Sequence, residues 1–104
     1  MSAIMVYVTA ADRDEALTIA RAVIAERLAA CANILPGVTS VFHWDGDIIE
    51  DTETVLILKS TPANLDRLTE RVKSLHSYDC PCVVALPIEG GNRAFIDWIR
   101  EETA

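Results

Sequence analysis

Histidine is scarce in this 104-residue chain, with only two copies, and none of the familiar catalytic signatures accompanies them. There is no G-x-S-x-G elbow, no phosphate-binding glycine loop, no H-E-x-x-H and no dinucleotide-binding glycine pattern. A thiol–imidazole pair such as Cys82 with His76 shows no orienting group and no oxyanion hole, so the chain is expected not to be an enzyme. Basic residues are also few: nine Lys and Arg stand against sixteen Asp and Glu, a net charge of -7. Nucleic-acid binding needs cations to neutralise phosphates, and anionic membrane surfaces attract the same residues. Neither partner is expected. A secretory signal is missing too, because the apolar Ile4–Val8 lacks a basic flank and runs straight into Asp12 and Arg13. Three cysteines, an odd number, do not suit a disulfide framework. A cytoplasmic location is expected from that pattern.

Apolar residues are abundant instead, at 51% of the chain. The length allows one domain, residues 1–104, with a thin core. The excess points to apolar surface left over for another subunit. Ile4–Ala10 reads as a buried strand, and Asp12 with Glu15 as a capping box. Ala16, Leu17, Ala20, Val23, Ile24 and Arg27-Leu28 then follow helical spacing. Leu28–Trp44 carries no formal charge, yet Pro36-Gly37 breaks it, so it is neither one helix nor a membrane span. A strand from about Cys31 to Trp44, bulged at Pro36-Gly37, fits better. Asp45-Gly46 is a two-residue hairpin signal, and the return strand covers about Ile48–Lys59. Thr61-Pro62 places an N-cap and a first-turn proline before a helix with Leu65, Leu68, Val72 and Leu75 on one stripe. Cys80–Ile88 reads as a fourth strand. Gly90-Gly91 makes a turn, and Asn92 caps a last helix carrying Phe95, Ile96, Trp98 and Ile99.

The order is βαββαβ with an extra C-terminal helix. This is an α+β, ferredoxin-like sandwich in which helices cover one face of an antiparallel sheet. Val55–Leu58 and Val83–Leu86 are apolar on both faces, so the second sheet face needs a cover as well. Homo-oligomerisation through that face is the expected solution.

The segment LAACANILPGVTSVFHWDGDI closely resembles the CutA family, the proteins named for tolerance to divalent cations. The family pattern, roughly LAACxNIxPGxxSxYxWxGxI, is met by Leu28, Ala29, Ala30, Cys31, Asn33, Ile34, Pro36, Gly37, Ser40, Trp44, Gly46 and Ile48. The likeness extends from Val6–Thr9 through Trp98. It implies a homotrimer that acts in the response to divalent metal ions and binds copper or another divalent cation. CutA trimers are also similar in architecture to the nitrogen-regulatory PII proteins, which bind small anionic ligands between subunits. That gives the alternative of a signalling or scaffold trimer without metal chemistry. The tight hairpin at Asp45-Gly46 leaves no long loop of the PII kind.

His76-Ser77-Tyr78-Asp79-Cys80-Pro81-Cys82 aligns with the family's H-P-Y-x-x-P-E. His76, Tyr78 and Pro81 match, whereas Ser77 replaces proline and Cys82 replaces glutamate. The resemblance implies that Lys59 and Tyr78 join a polar cleft between subunits, a ligand-binding position. Cys82 exchanges a hard oxygen donor for a soft sulfur. On an extended strand Cys80 and Cys82 share a face, about 6.6 Å apart at their α-carbons. They could converge on Cu(I) or Zn(II) with His76 as third ligand, or serve as small packed side chains. Cys31 sits among alanines and reads as a structural thiol. Lys59 either extends along the sheet rim or holds an anion.

Overall fold

The computed structural model describes residues 3–104. β1 (Ala3–Ala10) alternates buried and half-buried residues, as a central strand with β-favouring side chains should. α1 (Arg13–Ala25) opens on Asp12, whose carboxylate accepts the Glu15 N–H at 2.9 Å. The reciprocal arm is displaced by one residue: Glu15 accepts from Ala11 N–H at 3.0 Å. The helix stops earlier than the apolar periodicity through Leu28 predicts. Arg27 takes a left-handed φ of 58°, its N–H donates to Ile24 O at 3.0 Å, and Leu28 N–H donates to Val23 O at 2.9 Å. These are the two bonds of a Schellman motif, and Leu28 and Val23 complete it by meeting in the core.

β2 (Cys31–Trp44) and β3 (Asp47–Ser60) form a hairpin closed by Asp45 at φ 53° and Gly46 at φ 86°. Two successive positive φ values are the signature of a type I′ turn. The predicted bulge is present. Leu35 faces Val55 and Val38 faces Glu53, so β2 carries one residue more than β3 over that step. A 3₁₀ turn at Pro62–Asn64 then leads into α2 (Leu65–Leu75). Thr61 does not cap through its side chain, contrary to the sequence reading. Its hydroxyl oxygen instead accepts from Asn64 Nδ2 at 2.9 Å. β4 is Val83–Ile88, shorter than the predicted Cys80–Ile88. Pro81 has no N–H for a ladder, and the chain bends through Ser77–Cys80 before pairing begins. α3 (Arg93–Glu102) is capped by Asn92, which accepts from Ala94 N–H at 3.0 Å.

The sheet order is β2-β3-β1-β4 with every pairing antiparallel, the arrangement that the element order implies. Val6, Val8, Leu56 and Leu58 point to α1 and α2 and pack with Ile19, Val23, Leu68 and Val72 in one core. On the opposite face lie Met5, Tyr7 and Thr9 of β1, Glu53–Lys59 odd positions of β3, and Val84 and Leu86 of β4. α3 covers only one end of that face, where Ile99 packs with Ala3 and Ala30. Val84 and Leu86 remain about half exposed, at 52% and 49%. The molecule measures 44 × 25 × 22 Å. Its long axis fits the 14-residue strands of the hairpin, which reach about 46 Å at 3.3 Å per residue. Among the described residues, no helix is long and apolar enough to cross a membrane.

Candidate functional site

The segment after α2 folds back against the edge where β1 ends and β3 approaches the hairpin arm. His76 caps α2, and its side chain is fully buried. Its Nε2 donates to Thr9 O at 2.8 Å and its Nδ1 accepts Tyr78 N–H at 3.1 Å. Both ring nitrogens are therefore used inside the chain, with Glu15 Oε1 at 3.6 Å from Nδ1. Burial alone would raise the Glu15 carboxyl. Hydrogen bonds from Ala11 and Ser77 and the nearby His76 outweigh that effect and hold it below the ordinary range. The Ser77 N–H contact to Glu15 Oε2 is 3.0 Å. Together these bonds pin the 76–78 turn to the start of α1.

Tyr78 stacks obliquely on His76, with ring centroids 4.6 Å apart. Its hydroxyl donates to Glu53 Oε2 at 2.8 Å. Glu53 is only 8% exposed, an unusual place for a carboxylate. Burial pushes the Tyr78 phenol well above its ordinary value, and the Glu53 hydrogen bond and charge push it the same way. Cys82 is half-buried, and its thiol is raised by burial and then by the Glu53 charge. Cys80 is exposed. The site thus concentrates carboxylates and thiols at one end of the sheet.

The three candidate ligands His76, Cys80 and Cys82 do not assemble. Among the described residues no three His, Cys, Asp or Glu side chains are placed to share an ion. The reason for His76 is physical: both of its nitrogens already hold the backbone. Lys59 and Tyr78 do not meet within the chain either. Lys59 donates to Asn33 Oδ1 opposite Cys31, at the other end of the open face. Six residues of β3 separate it from Glu53, about 20 Å. Glu53 was not singled out by the sequence reading. Its signal was present: it shares a strand face with Val55, Ile57 and Lys59, where a carboxylate has to find a partner.

Residues 4–102 match the family model described as CutA1 divalent ion tolerance protein. The chain belongs to the CutA1 family. It is 50% identical over 99 residues to the divalent-cation tolerance protein CutA of Thermus thermophilus, covering 95% of this chain and 96% of that one. It is 41% identical over 97 residues to human protein CutA, covering 93% of this chain and 54% of that protein. The chain therefore spans nearly all of the bacterial relative and about half the length of the human one. The solved CutA1 structure from T. thermophilus superposes with a TM-score of 0.96 at 48% identity, covering 98% and 99% of the two chains. CutA1 from Oryza sativa gives 0.96 at 44% identity, with 100% and 95% covered. Membership in this divalent-cation tolerance family agrees with the α+β sheet-and-helix architecture described above.

Proposed function

We propose that this CutA1-family chain works as a homotrimer in the cytoplasm, in the response to divalent metal ions, by binding copper or another divalent cation and without enzymatic turnover. The observation that carries the metal reading is the buried Glu53 carboxylate beside the half-buried Cys82, in a chain of net charge -7. Cys80 lies two residues away and is exposed. These side chains offer soft sulfur and hard oxygen donors, and among the described residues Glu53 is in no ion pair with a Lys or Arg. His76 joins such a site only by giving up one of its two bonds, to Thr9 O through Nε2 or from Tyr78 N–H at Nδ1. Among the described residues no three such side chains converge, so a site built on the two cysteines takes its further donors from a neighbouring subunit.

Anaerobic Cu(I) competition titration of the reduced protein tests this. The expected result is one ion per chain or per trimer, lost in the Cys80→Ala/Cys82→Ala variant. Wild-type affinity in that variant sinks the assignment. The homotrimer rests on the uncovered Val84 and Leu86 and on the apolar hairpin arm; a monomeric mass by light scattering at micromolar concentration refutes it. Cell fractionation tests the cytoplasmic location.

One observation favours the anion-binding alternative. A cavity of about 250 Å³ lies between Gly90-Gly91 and α3 and is lined by Arg93 and Arg100. Arg100 is already paired with Asp97 at 2.7 Å, and Glu89 also lines the space. Thermal-shift measurements with nucleotides and small dicarboxylates separate the readings, because stabilisation by an anion in metal-free protein supports only the alternative.

A further inference from the structure

Cys80 and Cys82 are the only thiols of this chain that can reach each other. Cys82 adjoins Val83, which pairs with Val8, which in turn pairs with Leu56. Cys31 lies opposite Lys59 on the far edge strand β2. It is thus about 14 Å away across three strand spacings and about 10 Å along the sheet. No disulfide spans that distance. Two residues apart, by contrast, Cys80 and Cys82 are held within about 7 Å at their α-carbons even when fully extended. The chain bends at Cys80, and residues 79–82 belong to neither α2 nor β4, so neither a helix nor a strand ladder fixes their separation. Disulfide geometry lies within that range.

We propose that Cys80 and Cys82 form a reversible thiol–disulfide pair across Pro81, in which exposed Cys80 reacts first and half-buried Cys82 resolves it. A hydroperoxide is the oxidant class. Cys80 thiolate attacks the peroxide, the O–O bond breaks, and Cys80 becomes a sulfenic acid while the departing oxygen takes a proton from solvent, replacing the one the thiol had lost, and leaves as water or an alcohol. The Cys82 sulfur then attacks the Cys80 sulfur, the S–O bond breaks, and water leaves with the Cys82 proton as the disulfide forms. Two electrons pass from the thiols to the peroxide. A dithiol reverses the step by exchange.

The order follows from access. Cys80 is open to solvent, whereas Cys82 is half-covered. Cys82 is therefore slow toward outside oxidants, yet suited to capture a sulfur held beside it. This inference stands apart from the metal reading, since a chain that binds no ion still oxidises.

The test uses the assembled, chelator-treated protein titrated with hydrogen peroxide, with thiols counted after denaturation and masses read intact. The expected result is a fall from three thiols to one, a mass loss of two hydrogens, a peptide map joining Cys80 to Cys82, and full recovery with dithiothreitol. In Cys82→Ser, dimedone captures a sulfenic acid at Cys80. In Cys80→Ser, Cys82 keeps its thiol over the same exposure. Oxidation of Cys82 in Cys80→Ser at the wild-type rate overturns the proposal. So does a wild-type Cys80 that proceeds to sulfinic acid, or links to another chain, while Cys82 remains a thiol. Three unreacted thiols overturn it equally.

Discussion

At the scale of single residues, the Tyr78 hydroxyl and the Glu53 carboxylate decide how the 76–82 segment sits on the sheet. Removing the hydroxyl leaves a buried carboxylate oxygen without its donor, which costs about 1–3 kcal/mol. Tyr78→Phe is expected to lower stability by that amount, read from the urea midpoint, while the fold persists. A change below a few tenths would show that Glu53 finds water instead. pH dependence follows from the same groups. Glu15 is depressed in the folded state, so its stabilising effect is full above the ordinary carboxylate range and disappears as pH falls through its lower folded value. Tyr78 and Cys82 are raised, so their effects are full below the ordinary phenol and thiol ranges and disappear as pH rises through the higher folded values. Urea midpoints are thus expected to fall on both flanks, and Glu15→Gln is expected to flatten the acid flank alone. An unaltered acid flank in that variant would remove Glu15 from the explanation. The closure of this segment onto the sheet was not legible in the sequence. His76 and Tyr78 could be named as candidates, but nothing local shows that the 76–78 turn closes onto Thr9, Glu15 and Glu53, residues far away along the chain.

At the scale of elements, local chemistry carried much more. Asp45-Gly46 specified the turn type, Pro36-Gly37 the bulge, and Asp12 and Asn92 two helix starts, because each depends on φ preference or on a near-neighbour hydrogen bond. What escaped was the end of α1, where apolar periodicity continues through Leu28 although a Schellman bond already stops the helix with Arg27 in the left-handed region. Arginine is a poor signal for that conformation. The β4 start escaped for a related reason, since its limit depends on where Val83 meets Val8. The extra residue at Pro36-Gly37 changes the alternation of β2, so Val38, Ser40, Phe42 and Trp44 face the same side as Glu53 and Asp51. Gly46 stands at φ 86° with nothing within 4 Å of an added Cβ, so the cost of Gly46→Ala is conformational and not steric. It is expected to destabilise the protein by about 1 kcal/mol, measured by thermal or urea unfolding. A neutral effect would mean that the hairpin tip is not coupled to cooperative unfolding.

At the scale of the whole molecule, the sheet has one finished face and one unfinished face. Helices α1 and α2 seal Val6, Val8, Leu56 and Leu58, while α3 covers only one end of the other side. Beyond it, Val84 and Leu86 are exposed, and the arm presents Val41, Phe42, Trp44 and Ile48 to solvent, Trp44 at 64% and Ile48 at 70%. Fully burying a side chain of this size is worth about 1.5–3 kcal/mol, so a surface built this way favours association strongly. The sheet edge and the arm are also far enough apart for one chain to use both at once, which suits a closed ring better than a single two-fold contact. Leu86→Asp and Trp44→Asp place a charge in the two regions separately. Each is expected to shift the proposed trimer toward monomer in light scattering, and each monomer should unfold at a lower temperature than the wild type. A Leu86→Asp protein that keeps the full assembled mass would exclude the β4 face from the interface, and the same outcome for Trp44→Asp would exclude the arm. Because Glu53 and Cys82 lie where the arm leaves the sheet, loss of assembly in either variant should also weaken the proposed metal binding if a neighbouring chain completes the site. Unchanged affinity in a monomer would instead confine the donors to one chain.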